Sequence, residues 1–312
     1  MARFKFVLYR PLQTIPVLFG VSIITFILVR SIPGDPVRVL LGPRAKPSII
    51  AAVREQYGLD EPLILQYVYF LWNLVQGEMG RSIIYRAPVL EVITERLVPT
   101  LSLLAFALLL SIAFAMGLAI LAARNKGRWP DHSVRMFCTA GLGLPAFWLG
   151  IILIMLFSVG LGWFPVSGYG EGFFEHLHHL FLPSLTIALA LAPVLTRNLR
   201  ATLIEQMQAD YVQAARAKGM RENALFFRHV LPNSLVPTVN LLGVAFSWLI
   251  GGTVVVETVF SLPGMGQLMV ASIFSRDYLL VQGITLFFAI GIIATNFLVD
   301  VVNVALDPRI EL

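Results

Sequence analysis

The chain has 312 residues, of which 57% are hydrophobic and 13% are charged. A soluble domain averages about 45–50% apolar and about 25% charged residues, so the composition excludes an ordinary soluble protein and points to an integral membrane protein. The formal net charge of +5 sits mostly in connectors between apolar stretches, and it speaks for membrane topology rather than nucleic-acid binding.

Crossing a bilayer as a helix takes about 20 apolar residues. Six stretches qualify: 12–29, 97–123, 134–160, 182–199, 237–259 and 282–305. The period-2 alternation of barrel strands is absent, so the expected class is an all-α integral membrane protein with six transmembrane helices. In chain order this predicts a short N-tail and first helix over 1–30, an external helical segment over 31–96, a five-helix core over 97–305 and a C-tail over 306–312. The core carries a long cytoplasmic loop over 200–236.

The first apolar run is too long for a signal-peptide h-region, and no small-x-small cleavage site follows it, so it reads as a retained helix. Arg3, Lys5 and Arg10 precede it. Ser31-Ile32-Pro33-Gly34-Asp35-Pro36 reads as a turn where the chain leaves the membrane. Residues 49–57 have helical spacing. Gly58 is the expected stop, Asp60 the expected N-cap of the next helix, and 63–76 an amphipathic helix bearing Tyr67, Tyr69, Phe70 and Trp72. Gly77-Glu78-Met79-Gly80-Arg81-Ser82 breaks that helix.

Basic residues set the orientation. Arg124, Lys126, Arg128 and Arg135 lie in one connector, and Arg197, Arg200, Arg216, Lys218, Arg221 and Arg228 in another. The 161–181 connector has none, and 260–281 has only Arg276. Positive loops stay in the cytoplasm, which makes both termini cytoplasmic and 31–96 external. Long loops translocate despite mixed charge, so the charges of 31–96 are no contradiction.

Pro16, Pro145 and Pro193 fall inside expected spans, where they bend helices around a path or are merely tolerated. The stripes Ser184/Ala188/Ala192/Thr196 and Gly243/Ser247/Gly251 let helices approach closely, either at a sliding interface or in static packing within the subunit. Cys138 is the chain's single cysteine and offers neither a disulfide framework nor a metal pair. Glu175-His176-Leu177-His178-His179 has zinc- or nickel-type ligands in an external loop, but its spacing closes no site and no thiol accompanies it. No metal site and no cofactor are expected. Glu257 and Asp300 are the acids nearest membrane depth. Glu257 precedes Phe260-Ser261-Leu262-Pro263-Gly264-Met265-Gly266. Pro263, Gly264 and Gly266 interrupt a helix there and make a capping or re-entrant gate loop the expectation, with Glu257 facing the path. Asp300 reads as a cap or partner near the cytoplasmic face. No nucleophile elbow, HExxH motif or intramembrane catalytic pair occurs, and no GxxxxGK[ST] phosphate loop either. Any ATP would be bound by another subunit.

The most informative stretch is Tyr211–Asn233, YVQAARAKGMRENALFFRHVLPN. Ala214, Ala215 and Ala217 are small helix formers that allow a partner close approach. Gly219 suits the left-handed position ending one helix, and Leu231-Pro232 is expected to stop a second. From Gln213 onward the pattern resembles the EAA loop of ATP-binding-cassette importer permeases, with Gln213 in place of the family's glutamate. The PGDP turn and YGLDEPLILQYVYFLWNLVQGEMGRS are similar to the B-type permeases of dipeptide and oligopeptide importers, and the likeness runs to Val299-Asp300 and Asp307-Pro308-Arg309.

That resemblance implies a type I importer-like permease. It implies a homologous second permease, two cytoplasmic ATP-binding subunits docked on Gln213, Ala214, Ala215, Gly219, Leu231 and Pro232, and a periplasmic or lipid-anchored substrate-binding protein. It implies the cytoplasmic membrane of a bacterium or archaeon, and di- or oligopeptides as substrate. Nickel chelates or glutathione are the alternatives within the family. An ion-coupled secondary transporter using Glu257 and an intramembrane enzyme are the alternatives outside it. The missing internal repeat disfavours the first, and the missing catalytic pair the second.

Overall fold

The structure, a computed structural model, describes residues 2–31, 36–42, 45–56 and 58–306. The Pro33-Gly34-Asp35 turn, Tyr57 and the closing Asp307-Pro308-Arg309 motif lie outside them. Apart from one isolated bridge between Arg81 and Pro88, the regular structure of the described residues is helical. Val89–Arg124, Phe173–Gln208, Glu222–Val259 and Tyr278–Val302 are each long and apolar enough to span a membrane. The first helix, α1 (Ala2–Ser31), carries the apolar stretch Thr14–Leu28.

Residues 134–160 do not form the single straight span expected. Trp129–Leu142 and Ala146–Gly160 meet at a bend of 106°. Pro145 sits at the start of the second piece with an extended ψ of 137°. It cannot continue the first piece's hydrogen bonds, and the residue before a proline avoids the helical region. Pro145 therefore divides the helix instead of kinking it.

The chain forms two compact units, residues 1–100 with 263–293, and residues 101–262 with 294–312. In the first, α1 is followed by α2 (Pro36–Leu41), α3 (Pro47–Gln56), α4 (Leu63–Val75) and the start of α5 (Val89–Arg124). Gly58 ends α3 as expected, with φ +59°, and the Leu59 amide donates back to Arg54 O at 2.9 Å. Asp60 is not an N-cap. It pairs with Arg54 at 2.7 Å, and Pro62 occupies the cap position. Proline has its φ preset for a helix start, so no side-chain cap is required.

The aromatic face of α4 is divided. Tyr67 packs edge-on to Phe26 with centroids 5.1 Å apart, its hydroxyl meets Ser22 Oγ at 2.8 Å, and Phe70 is buried. These residues are committed to α1 of their own chain. Trp72, 64% exposed, lies on the other face with Ile64, Val68 and Val75.

After α4 the chain makes a tight loop whose anchor is Asp277. This buried carboxylate accepts from Ser82 Oγ, from the Ile84 amide at 3.2 Å and from the Leu280 amide at 3.3 Å. It thereby caps α13 (Tyr278–Leu306) and holds the 82–88 turn in one stroke. Next to it Val89, Val92, Ile93, Leu280 and Ile284 form a core with Met265 and Leu268 of α12 (Met265–Ser275). A Cβ on Gly283 would stand 2.7 Å from Val89 Cγ1, so glycine there sets the α5–α13 approach. This packing explains why α5 begins at Val89, ahead of the apolar run. Its first turns bear Glu91, Glu95 and Arg96 on an amphipathic face.

In the second unit α8 (Phe173–Gln208) is the spine, with α6 (Trp129–Leu142), α7 (Ala146–Leu153) and α11 (Leu231–Val259) packed on it. Ser184, Ala188, Ala192 and Thr196 are all buried within the chain, so this stripe is internal packing. A Cβ on Gly141 would come within 2.7 Å of Pro193, and one on Gly243 within 2.7 Å of Val299. These are the close approaches on which helix association in lipid relies.

Asp277→Ala leaves one hydroxyl and two amides without their acceptor. The expected loss is on the order of 3 kcal/mol, read as a lowered thermal midpoint of the purified protein in detergent. An unchanged midpoint would remove Asp277 from its anchoring role.

Candidate docking loop and gate

The loop after α8 is built from α9 (Asp210–Ala217), a hinge at Gly219, and α10 (Glu222–Leu225), which runs on through a π-helical turn Phe226–Val230 into α11. Gly219 has φ +81°. The Met220 amide donates to Ala215 O at 3.3 Å and the Gly219 amide to Arg216 O at 3.0 Å. This paired bonding closes a helix on a left-handed residue. Arg216 spans the hinge to Glu222, with Nε–Oε1 at 2.6 Å.

The loop lies on its own chain. Val212, Leu225, Phe226 and Val230 are buried against Ala119 and Ala123 of α5 and Leu199 and Leu203 of α8. Arg124 reinforces the seat: its guanidinium lies 4.8 Å from the Phe226 ring centre and donates to Asn223 Oδ1. Ala215 faces this cluster, while Gln213, Ala214, Arg216, Ala217 and Lys218 face outward with Phe227, which is 53% exposed. The sequence-expected loop residues therefore divide. Ala215 and Leu231 pack inward, and Gln213, Ala214, Gly219 and Pro232 lie on the exposed side.

Pro232 does not stop a helix. The helix runs unbroken from Glu222 to Val259. The π turn just before Pro232 explains this, because its wider winding makes room for a ring that would clash with the preceding α-turn. Gln213 also has a local role. Its Nε2 donates to Gln208 O at 3.2 Å, a bond that a carboxylate at this position could not donate.

The candidate gate begins at Glu257, which is fully buried in α11 and not the solvated boundary residue its position in the sequence allows. The end of α11 is formed by Ser261 at φ +46°, with the Leu262 amide donating to Glu257 O at 2.9 Å. A non-glycine residue in this conformation is uncommon, and it puts the break two residues ahead of Pro263. Leu262, Gly264, Met265 and Gly266 are buried, and Pro263 is partly buried. Gly264 caps the short apolar helix α12 with extended backbone, and the Met265 amide donates to Thr100 Oγ1 at 2.8 Å.

The three histidines of the 175–179 segment each have a backbone partner. They lie on the first turns of α8, not in a loop, and each bonds a different backbone carbonyl of the preceding connector: His176 to Tyr169 O at 2.9 Å, His178 to Trp163 O at 2.8 Å and His179 to Ser167 O at 3.0 Å. No group of three potential metal ligands converges among the described residues. The cluster staples 163–169 onto α8.

A bundle of long apolar helices with a polar, hinged loop mounted on its core is the architecture of a membrane permease. Comparison with known proteins agrees. Residues 115–312 match the family described as binding-protein-dependent transport system inner membrane component, and residues 3–104 match the N-terminal model of such membrane components. The chain belongs to this family. It is 41% identical over 307 residues to the glutathione transport system permease protein GsiC of Escherichia coli strain K12, covering 98% of this chain and 99% of that one. Its identity to GsiC of Salmonella choleraesuis is 40% over the same length.

Two solved structures share the fold. One is an amino acid ABC transporter crystallised with histidines (TM-score 0.54, 13% identity, 68% of this chain and 93% of that one). The other is the inward-facing MetNI methionine ABC transporter (TM-score 0.55, 16% identity, 70% and 97%). The fold is thus that of a type I ABC importer permease. The chain is a non-catalytic, multi-pass subunit of the inner membrane that works with other ABC components. The ion-coupled and intramembrane-enzyme readings fall with that membership.

Phe226→Ala removes the largest side chain seating the loop, at about 3–5 kcal/mol. Trypsin added to the exposed side of the loop in membrane vesicles should then cut faster at Lys218 and Arg221. Cutting at the wild-type rate would mean that the cluster does not hold the loop.

Proposed function

We propose that the chain is one of two permease subunits that together enclose a path for small peptides, powered by two ATP-binding subunits in the cytoplasm and supplied by an external binding protein. The observation that carries this reading is the division of the loop. One face is fixed to the chain's own core, and the other presents two small alanines, an exposed Phe227 and basic residues that no described residue of this chain covers. An apolar, close-approach surface ringed by charge suits a protein partner. A loop seated on α5 and α8 moves those helices when the partner moves, which is the rigid-body coupling that alternating access requires. The positive-inside rule applied to the basic connectors supports a cytoplasmic loop and cytoplasmic termini.

Within the peptide class, the full-length relatives named for glutathione transport make a small thiol tripeptide the substrate to test first, with di- and oligopeptides beside it and nickel chelates third. Reconstituted transporter with its binding protein should take up labelled peptide or glutathione. Saturable uptake of nickel chelate alone would overturn the peptide assignment.

Ala214→Arg and Phe227→Ser alter only the exposed face. Both should insert and fold normally yet lose co-purifying ATPase and uptake, because a long side chain blocks close approach and a hydroxyl removes the apolar anchor. Full ATPase recovery with either variant would remove this face from the docking site.

Glu257, buried just before the α11 break, is proposed as part of the gate. Glu257→Gln keeps its volume and removes its charge. Uptake should fall, or basal ATP hydrolysis in the assembled complex rise. Wild-type values for both would show that the charge has no gating role.

A further inference from the structure

A cavity of about 280 Å³ opens between α6 and α8, away from the loop cluster and the α11 break. Arg135, Arg197, Arg200, Thr139 and Thr196 line it, with Cys138 at its wall. Its charge is unbalanced. Arg200 is locked onto the buried Asp131 by two bonds, Nε–Oδ1 at 2.5 Å and Nη2–Oδ2 at 2.8 Å. That pair consumes one carboxylate and one guanidinium. Arg135 reaches the same carboxylate only at 4.0 Å, and Arg197 has no acidic partner among the described residues. Three guanidinium groups thus line the cavity against one carboxylate, which leaves the two exposed ones, Arg135 and Arg197, uncompensated.

The second observation is independent of charge. Thr196 is fully buried, and its Oγ1 has no hydrogen-bond partner although it lines this cavity. A helical threonine usually satisfies its hydroxyl on the preceding turn, as Thr186 of the same helix does on Leu182 O at 2.8 Å. A buried hydroxyl left without a bond is costly unless something else supplies one. The Thr139 hydroxyl already donates to Arg135 O at 2.9 Å, so a tetrahedral oxyanion would accept from the Arg135 and Arg197 guanidiniums, with the Thr196 hydroxyl as the unused neutral donor at the cavity wall.

The surroundings select the source of that anion. Met136, 74% exposed, and the exposed Leu142 flank the cavity along α6, and Trp129 stands exposed at the helix start. Basic recesses bordered by apolar helix surface, with an aromatic residue at the helix end, suit an anionic lipid whose chains lie along the helix.

We propose that this cavity binds the phosphate of an anionic lipid headgroup from the cytoplasmic leaflet. The leaflet rests on the topology proposed above, but the binding itself does not, so the test is made in detergent. The assembled transporter, stripped of lipid in a neutral detergent, is given phosphatidylglycerol or phosphatidylcholine, and retained lipid is counted by native mass spectrometry. Wild type should prefer phosphatidylglycerol. Arg135→Gln with Arg197→Gln should weaken that retention about 30-fold, at the usual contribution of a basic residue near an anionic headgroup. Both side chains are exposed and neither holds Asp131 as Arg200 does, so the double variant should fold.

Arg128→Gln, outside the cavity, should keep the preference. Thr196→Val, of equal volume, should weaken retention about ten-fold without lowering the thermal midpoint, whereas a merely structural hydroxyl would lower it. Equal retention of the two lipids by wild type, or an unchanged preference in the double variant, overturns the site. Displacement of phosphatidylglycerol by an equal concentration of inorganic phosphate overturns the lipid assignment in favour of a free anion.

Discussion

Helices in a bilayer gain little by burying apolar surface, since lipid is as apolar as leucine. What holds the second unit together is therefore contact at short range, and α8 supplies it. Its Ser184, Thr186, Ala188, Ala192 and Thr196 are fully buried and small. Their size lets α6, α7 and α11 come close enough for dispersion contacts to accumulate over many atoms. Pro193 fits against the bare Cα of Gly141 in the same way. Enlarging any of these side chains would push a neighbour away and forfeit a row of contacts.

The same helix carries the loop. Leu199 and Leu203 continue the buried face of α8 beyond its small-residue stripe, and Val212, Leu225, Phe226 and Val230 close over them. The loop is thus seated on the last turns of the spine, with Arg124 of α5 clasping its second helix. A displacement of the exposed face has little slack to absorb before it reaches α8. The π turn at Phe226–Val230 belongs to this mount. It keeps Phe226 and Val230 in the cluster while letting the helix pass through Pro232 into α11. One continuous helix then links the loop to Glu257.

Much of this was legible in the sequence, and the misses share a cause. Apolar runs gave four of the six expected spans as single long helices, because hydropathy is additive along a chain. Gly58 and Gly219 gave helix ends, because a left-handed residue needs no partner to be favoured. What the sequence hid were choices settled by tertiary contacts. Asp60 has the chemistry of an N-cap but found Arg54 instead. Pro232 has the chemistry of a stop, but a π turn accommodates it. Ser261 ends α11 in a conformation its side chain disfavours, so no local signal marks it. Tyr67 and Phe70 could face a partner or α1, and only the fold decides. The three histidines have ligand chemistry, yet each bonds a backbone carbonyl of the connector before α8. Pro145 is the exception, a local signal in the sequence itself: in a long apolar run it marks a 106° break.

Gln213 shows how such a local choice bears on the joint between loop and spine. A glutamate at this point would offer a charge that the amide does not. The amide gives up that charge and gains a donor, which it uses on Gln208 O, across the Ala209 junction between α8 and α9. Ala209 is extended, so this junction is the one place between spine and loop where helical hydrogen bonding lapses. Tyr211 adds a second tie, donating to Gln206 Oε1 at 2.6 Å while accepting from Asn233 Nδ2 at 3.1 Å. Both bonds are exposed and individually weak, but they bridge the only break in the backbone ladder there. The loop exchanges an electrostatic handle for a stiffer joint. The two ties keep the exposed face of the loop in register with the spine helix that carries it.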